Sequence, residues 1–172
     1  MDAYKFLKAG AVGPFSGLTW APGEWVEASG ELGLCRNGVH ACTASVLPYW
    51  IDDELWRIEL DGDSVEADGV VIARRGRLTD RVSSWDADAQ RAFANACAER
   101  AAASAETSGR EDTRSRAEDA RSLAGQPISA VNVACCSYIA ARAADDASLD
   151  GWARERAWQA AWLADRLGLQ LP

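Results

Sequence analysis

This chain predicts an α+β protein: a small, mostly antiparallel sheet followed by a bundle of about four helices. Three observations carry the prediction. Residues up to about Trp85 are rich in Gly, Pro, Trp and Val with period-two alternation, whereas residues beyond it are Ala-rich with apolar positions at helical spacing. Turn-forming Gly, Pro and Asn-Gly pairs punctuate the first half, as a chain of short strands requires. At 172 residues the chain is long enough to bury a core without disulfide or metal staples. The expected division is a β-rich region over 1–85 and a helical region over 86–172, packed as one unit.

Strands are expected at residues 4–8, 25–28, 55–60, 70–73 and 77–82. At 55–60, Trp56, Ile58 and Leu60 share one face against Leu55, Arg57 and Glu59. Residues 43–50 read as a short helix limited by Pro48. Helices are expected over 86–104, 112–123, 128–144 and 149–167. Gly125-Gln126-Pro127 marks a stop and restart, and Asp150 ends a polar break. The polar stretch 105–111 is expected to be the mobile connection.

The stretch Leu34-Cys35-Arg36-Asn37-Gly38-Val39-His40-Ala41-Cys42 holds the only histidine and two of five cysteines. Asn-Gly between extended residues signals a two-residue hairpin turn, which would set Cys35 opposite His40 and place Cys35, His40 and Cys42 on one face. Three readings of that face stand open. Cys35 or Cys42 could be a thiol nucleophile with His40 as its base. The trio could bind zinc, but needs a further ligand such as Cys97 or Cys135 that nothing in the sequence commits, so no metal is expected. Or the three side chains are packed beneath the helices.

Five of the eight tryptophans fall in the first half. Trp20, Trp25, Tyr49 and Trp50 flank the Cys/His stretch in sequence and are candidates to wall a ligand cleft. The acidic runs Asp52-Asp53-Glu54, Glu111-Asp112, Glu118-Asp119 and Asp145-Asp146 sit at predicted helix ends or polar loops and read as surface.

The formal charge of −8 argues against a surface built for nucleic-acid phosphates. The single basic cluster, Arg74-Arg75 with Arg77 and Arg81, reads as a solvated strand edge. No apolar run of membrane-spanning length and no signal-peptide layout appears, so a cytoplasmic location is expected, with no membrane partner. No Walker loop, dinucleotide fingerprint or nucleophile elbow is present, and no cofactor is expected.

Trp20-Ala21-Pro22-Gly23-Glu24-Trp25, Leu34-Cys35, Gly38-Val39-His40-Ala41-Cys42, Tyr49 and Leu55-Trp56-Arg57-Ile58-Glu59-Leu60 together resemble an uncharacterised domain family of bacterial and phage proteins. The resemblance covers residues 4–80 and implies a shared small fold, not a reaction. Glu155-Arg156-Ala157-Trp158 and the residues after it are similar to segments of alanine-rich helical bacterial proteins. Gly38-Val39-His40, Tyr49 and Trp56-Arg57-Ile58 are also similar in plan to the nicotinamide pocket of ADP-ribosyltransferases, with His40 where that family has an aromatic residue. The leading expectation is an accessory or binding module with an aromatic-lined cleft for a small molecule or protein partner. The alternative is a small enzyme using Cys35, His40 or Cys42, or one built on an ADP-ribosyltransferase-like fold.

Overall fold

A computed structural model describes residues 2–34 and 36–171. The chain is α+β. Five antiparallel strands, β1 (Ala3–Leu7), β2 (Val26–Glu27), β3 (Val39–Cys42), β4 (Glu54–Ala67) and β5 (Val70–Arg81), precede four helices, α1 (Ala87–Ser108), α2 (Glu111–Ala124), α3 (Ala130–Ala147) and α4 (Gly151–Leu167). A 3-10 helix over Ala44–Tyr49 follows β3, at the place where Pro48 was expected to keep a helix short.

The strand pairings close on themselves. β1 pairs with β3 and β4, and β5 pairs with both β3 and β4, so four strands form a ring with β2 added to β5. Alternation along each strand then sends side chains to two cores. Ala3, Leu7, Val39, Ala41, Ile58 and Leu78 fill one with Trp20. Tyr4, Phe6, Cys42 and Leu55 face the other way, into a core shared with the helices. There Phe6 meets Trp85 edge-on at 5.6 Å, and Phe93 meets Trp162 at 5.1 Å. Alanines such as Ala101 on α1 and Ala140 on α3 are fully buried, and their small side chains allow the helices close approach.

Three expectations need correction. β4 and β5 are longer than expected, because the polar run from Asp61 to Ala67 continues the β4 ladder, with Ala67 paired to Val70. The two-residue turn between them is Asp68-Gly69, with φ of 50° and 77°, the mirror-image geometry that matches strand twist. The 105–111 stretch is mostly helix: α1 runs to Ser108, Gly109 caps it in the left-handed region, and α2 starts two residues later.

The Asn37-Gly38 hairpin is the third. His40 pairs with Ile72, and Ala41 pairs with Val71, both on β5, while Asn37 pairs back with Gly33. Asn37 does not have the positive φ a type I′ turn requires. Its amide instead donates to the carbonyls of Ser29 and Glu31. Gly38 has φ of 125°, and a Cβ there would lie 2.3 Å from Ile72 Cγ2. This glycine therefore permits close approach of β3 to β5 rather than a turn.

Candidate functional site

The cleft arises where the strand ring is weakest. β1 and β3 pair at one position only, Tyr4 with Cys42. Beyond it the seam opens, and Lys5 Nζ reaches across to donate to the His40 carbonyl at 2.6 Å. A cavity of about 750 Å³ occupies this region, a volume suited to a small-molecule ligand. Lys5, Trp20 and His40 line its strand side, and Phe15, Tyr49 and Trp50 line its other walls. Phe15 is strongly exposed and meets Trp50 edge-on at 6.5 Å, so these two rings stand at the mouth.

Two walls of the cleft are held by specific local structures, the first around Glu54. Glu54, buried at the start of β4, accepts from Gly10 N at 3.1 Å, Ala11 N at 3.2 Å and Trp56 Nε1 at 3.0 Å. Trp20 N in turn donates to the Ala11 carbonyl at 3.0 Å, which fixes the loop that carries the buried Trp20 ring. Burial pushes the Glu54 pKa up, but the Trp56 indole, the two amides and Arg81 outweigh it and hold the carboxyl below its usual value. Glu54 was expected at the surface with Asp52 and Asp53. It is instead an anchor for the cleft wall.

The opposite wall is anchored from the helical half by a polar network that sequence reading did not find. Arg156 Nη1 donates to the Pro48 carbonyl at 3.1 Å, to Ser137 Oγ at 2.7 Å and to Gln159 Oε1 at 3.0 Å. Its guanidinium lies 4.6 Å from the Tyr49 ring and 4.8 Å from Trp152. Glu155 accepts from Gln159 Nε2 and pairs with Arg100 at 2.6 Å. Burial pulls the Arg156 pKa down from its ordinary value. The spacing of Glu155, Arg156 and Gln159 gave no warning, because polar residues on an alanine-rich helix normally mark its solvent face.

The predicted site residues separate. Trp20, Tyr49, Trp50, His40 and Cys42 line the cleft. Trp25 is not among the lining residues. It is half-exposed between the guanidinium groups of Arg75 and Arg77, at 4.7 and 4.8 Å. Those arginines pair with Asp61 and Glu59, and Arg74 donates to the carbonyls of Ala28 and Gly30, so the basic cluster is engaged within the protein. Cys35, and with it the expected Cys35–His40 contact, lies outside the described residues. Trp56, Arg57 and Ile58 do not line the cleft with His40 and Tyr49.

His40 and Cys42 do share a face of β3. His40 Nδ1 lies 3.0 Å from the Gly38 carbonyl, an oxygen that can only accept a hydrogen bond. Cys42 is buried, and desolvation pushes its thiol up to about 12 despite the nearby Lys5 charge. That environment favours the thiol over the thiolate a nucleophile needs. Burial pulls the Lys5 ammonium down to about 8, opposed by Cys42. Among the described residues, no group of three His, Cys, Asp or Glu side chains converges as a metal site. No described helix is long and apolar enough to cross a membrane.

Comparison with protein families, curated proteins and solved structures finds no match in any of the three.

Proposed function

We propose that this protein is a cytoplasmic binding module whose cleft takes a small, largely apolar ligand. One observation carries the reading: a cavity of about 750 Å³ with aromatic rings from two separate segments, Phe15 and Trp20 from the β1–β2 connection and Tyr49 with Trp50 from the end of the 3-10 helix, around a few polar groups. Apolar walls supply most of the affinity, and sparse polar groups set orientation. The walls are pre-formed. Glu54 fixes one and Arg156 the other, which lowers the ordering cost of binding. The free thiols of Cys42, Cys97, Cys135 and Cys136 suit a reducing compartment.

A fragment screen read by ¹H–¹⁵N spectra tests the proposal. Aromatic fragments are expected to move the indole signals of Trp20 and Trp50 together, with those of Trp152 and Trp158 unchanged. A diverse aromatic set that never moves Trp20 and Trp50 would refute it.

A further inference from the structure

We infer that the cleft binds an amphipathic anion, an aromatic or otherwise apolar body bearing one acid group, with Lys5 as the cation that pairs with the acid. The inference rests on the cleft being a ligand site. Only two of the 18 basic residues of this chain are lysines, Lys5 and Lys8. The one on the cleft wall therefore carries a compact ammonium where arginine is the norm. Lys5 comes from the middle of β1, on the face that otherwise contributes the buried Ala3 and Leu7. A cation in such a position is costly unless paired.

The protein supplies little pairing. Among the described residues, Lys5 Nζ has one hydrogen-bond acceptor, the His40 carbonyl, and its ammonium lies 5.4 Å from the centroid of the Trp20 ring. Among the described residues, no carboxylate forms an ion pair with it. An ammonium has three donors, and one neutral acceptor leaves capacity for a ligand oxygen. The ring of Trp20 beside it gives an apolar body a surface to stack on. The lowered pKa of Lys5 agrees with a charge awaiting a counter-ion. The other charged or titratable groups on the cleft are Tyr4, Glu27, Arg36, His40, Cys42, Tyr49 and Asp52. Arg36 is exposed and adds a second positive charge to the lining.

A matched pair of fluorescent probes isolates the acid group. 8-Anilinonaphthalene-1-sulfonate and N-phenyl-1-naphthylamine differ only in the sulfonate, and both brighten in apolar surroundings. They are titrated into the full chain at pH 7 and pH 10, with Lys5→Met and Lys8→Met as variants whose folding is checked by circular dichroism. The sulfonate is expected to bind at pH 7 and to weaken about tenfold or more both at pH 10 and in Lys5→Met, because each removes one charge–charge pairing. The neutral probe should bind in every case with little change, and Lys8→Met should match the parent. The pH arm in Lys5→Met should be flat, which assigns the titration to Lys5. Equal binding of the two probes, or sulfonate binding unaffected by Lys5→Met, would overturn the inference and leave the apolar cleft standing. Failure of both probes to bind would instead overturn the cleft reading and the inference with it.

Discussion

Replacing Arg156 with Ala should weaken both the fold and the cleft. Arg156 is 6 % exposed and ties α4 to α3 through Ser137 and to the 3-10 helix through the Pro48 carbonyl. Truncation does not strand Glu155, which keeps Arg100, and Ser137 Oγ still donates to Gln159 Oε1 at 2.9 Å. The Pro48 carbonyl is left without this donor, at about 1–3 kcal/mol. Loss of the guanidinium between the Tyr49 and Trp152 rings adds about 1–2 kcal/mol. Relief of the buried charge offsets part of this, so the expected net loss is about 3 kcal/mol, toward the low end of what breaking a buried ionic network costs. Urea denaturation monitored by tryptophan fluorescence measures it, with an unchanged m-value confirming an intact native state. Arg156→Lys should recover less than half, since an ammonium cannot stack flat between two rings. The variant should also bind cleft ligands more weakly, because Tyr49 and Trp50 follow Pro48 directly. A stability loss below about 1 kcal/mol, or full recovery by Lys, would refute this account of the network.

Lys5 should contribute a stability gain of about 1 kcal/mol between pH 8 and 9, because the unfolded chain keeps the proton that the folded chain, with its value near 8, gives up. The buried thiols oppose this gain over the same range: from about pH 8 upward the unfolded thiols ionise, while folded Cys42 and Cys136, pushed up by burial to about 12 and about 11, and Cys97, also pushed well up by burial, hold their protons. Denaturation midpoints from pH 7 to 10 should show a maximum at about pH 8.5, and Lys5→Met should lose the rise below it; a rise retained in that variant would assign it elsewhere. Glu54→Gln should cost about 2 kcal/mol through weakened bonds to Gly10, Ala11 and Trp56. The parent loses stability as pH falls through the usual carboxyl range toward the lower folded value, and the variant should lose less, as melting in acid would show. Gly38→Ala should destabilise by about 2–4 kcal/mol, since its Cβ would meet Ile72 and its φ disfavours any side chain. A neutral effect in chemical denaturation would contradict the observed packing of β3 on β5.

The architecture was legible because it rests on periodicity: helical spacing after Trp85 and alternation before it survive any tertiary rearrangement. The rule that Asn-Gly or Asp-Gly makes a hairpin also held, but at Asp68-Gly69. Around Asn37 it failed for a tertiary reason. The Asn37 amide found carbonyls at Ser29 and Glu31, and Gly38 was needed where β3 presses on Ile72. Trp20, Tyr49 and Trp50 reached the cleft because aromatic loop residues near a strand seam have few other places to go. Trp25 was taken by two arginines that are distant in sequence and adjacent only through the β2–β5 ladder. Lys5 gave no signal, since an isolated lysine in a strand normally faces water. Its environment depends on where the ring of strands opens.

That ring also bears on how the protein behaves at high concentration. Sheet edges are sites where chains add to one another, and evolution usually blunts them with charge, proline or a covering helix. Here β1, β3, β4 and β5 each pair with at least two strands, and β2, two residues long, offers an outer edge too short to template another strand, but β4 meets β1 only over 54–58, so its residues 59–67 have a strand partner on the β5 side alone. That open edge of β4 carries Glu59, Asp61, Asp63 and Glu66, whereas the open seam between β1 and β3 lies beneath the Lys5 side chain and the rings at the mouth. The seam that is open to a ligand is thus one of the two places open to a foreign strand, and the side chains that guard it serve both ends.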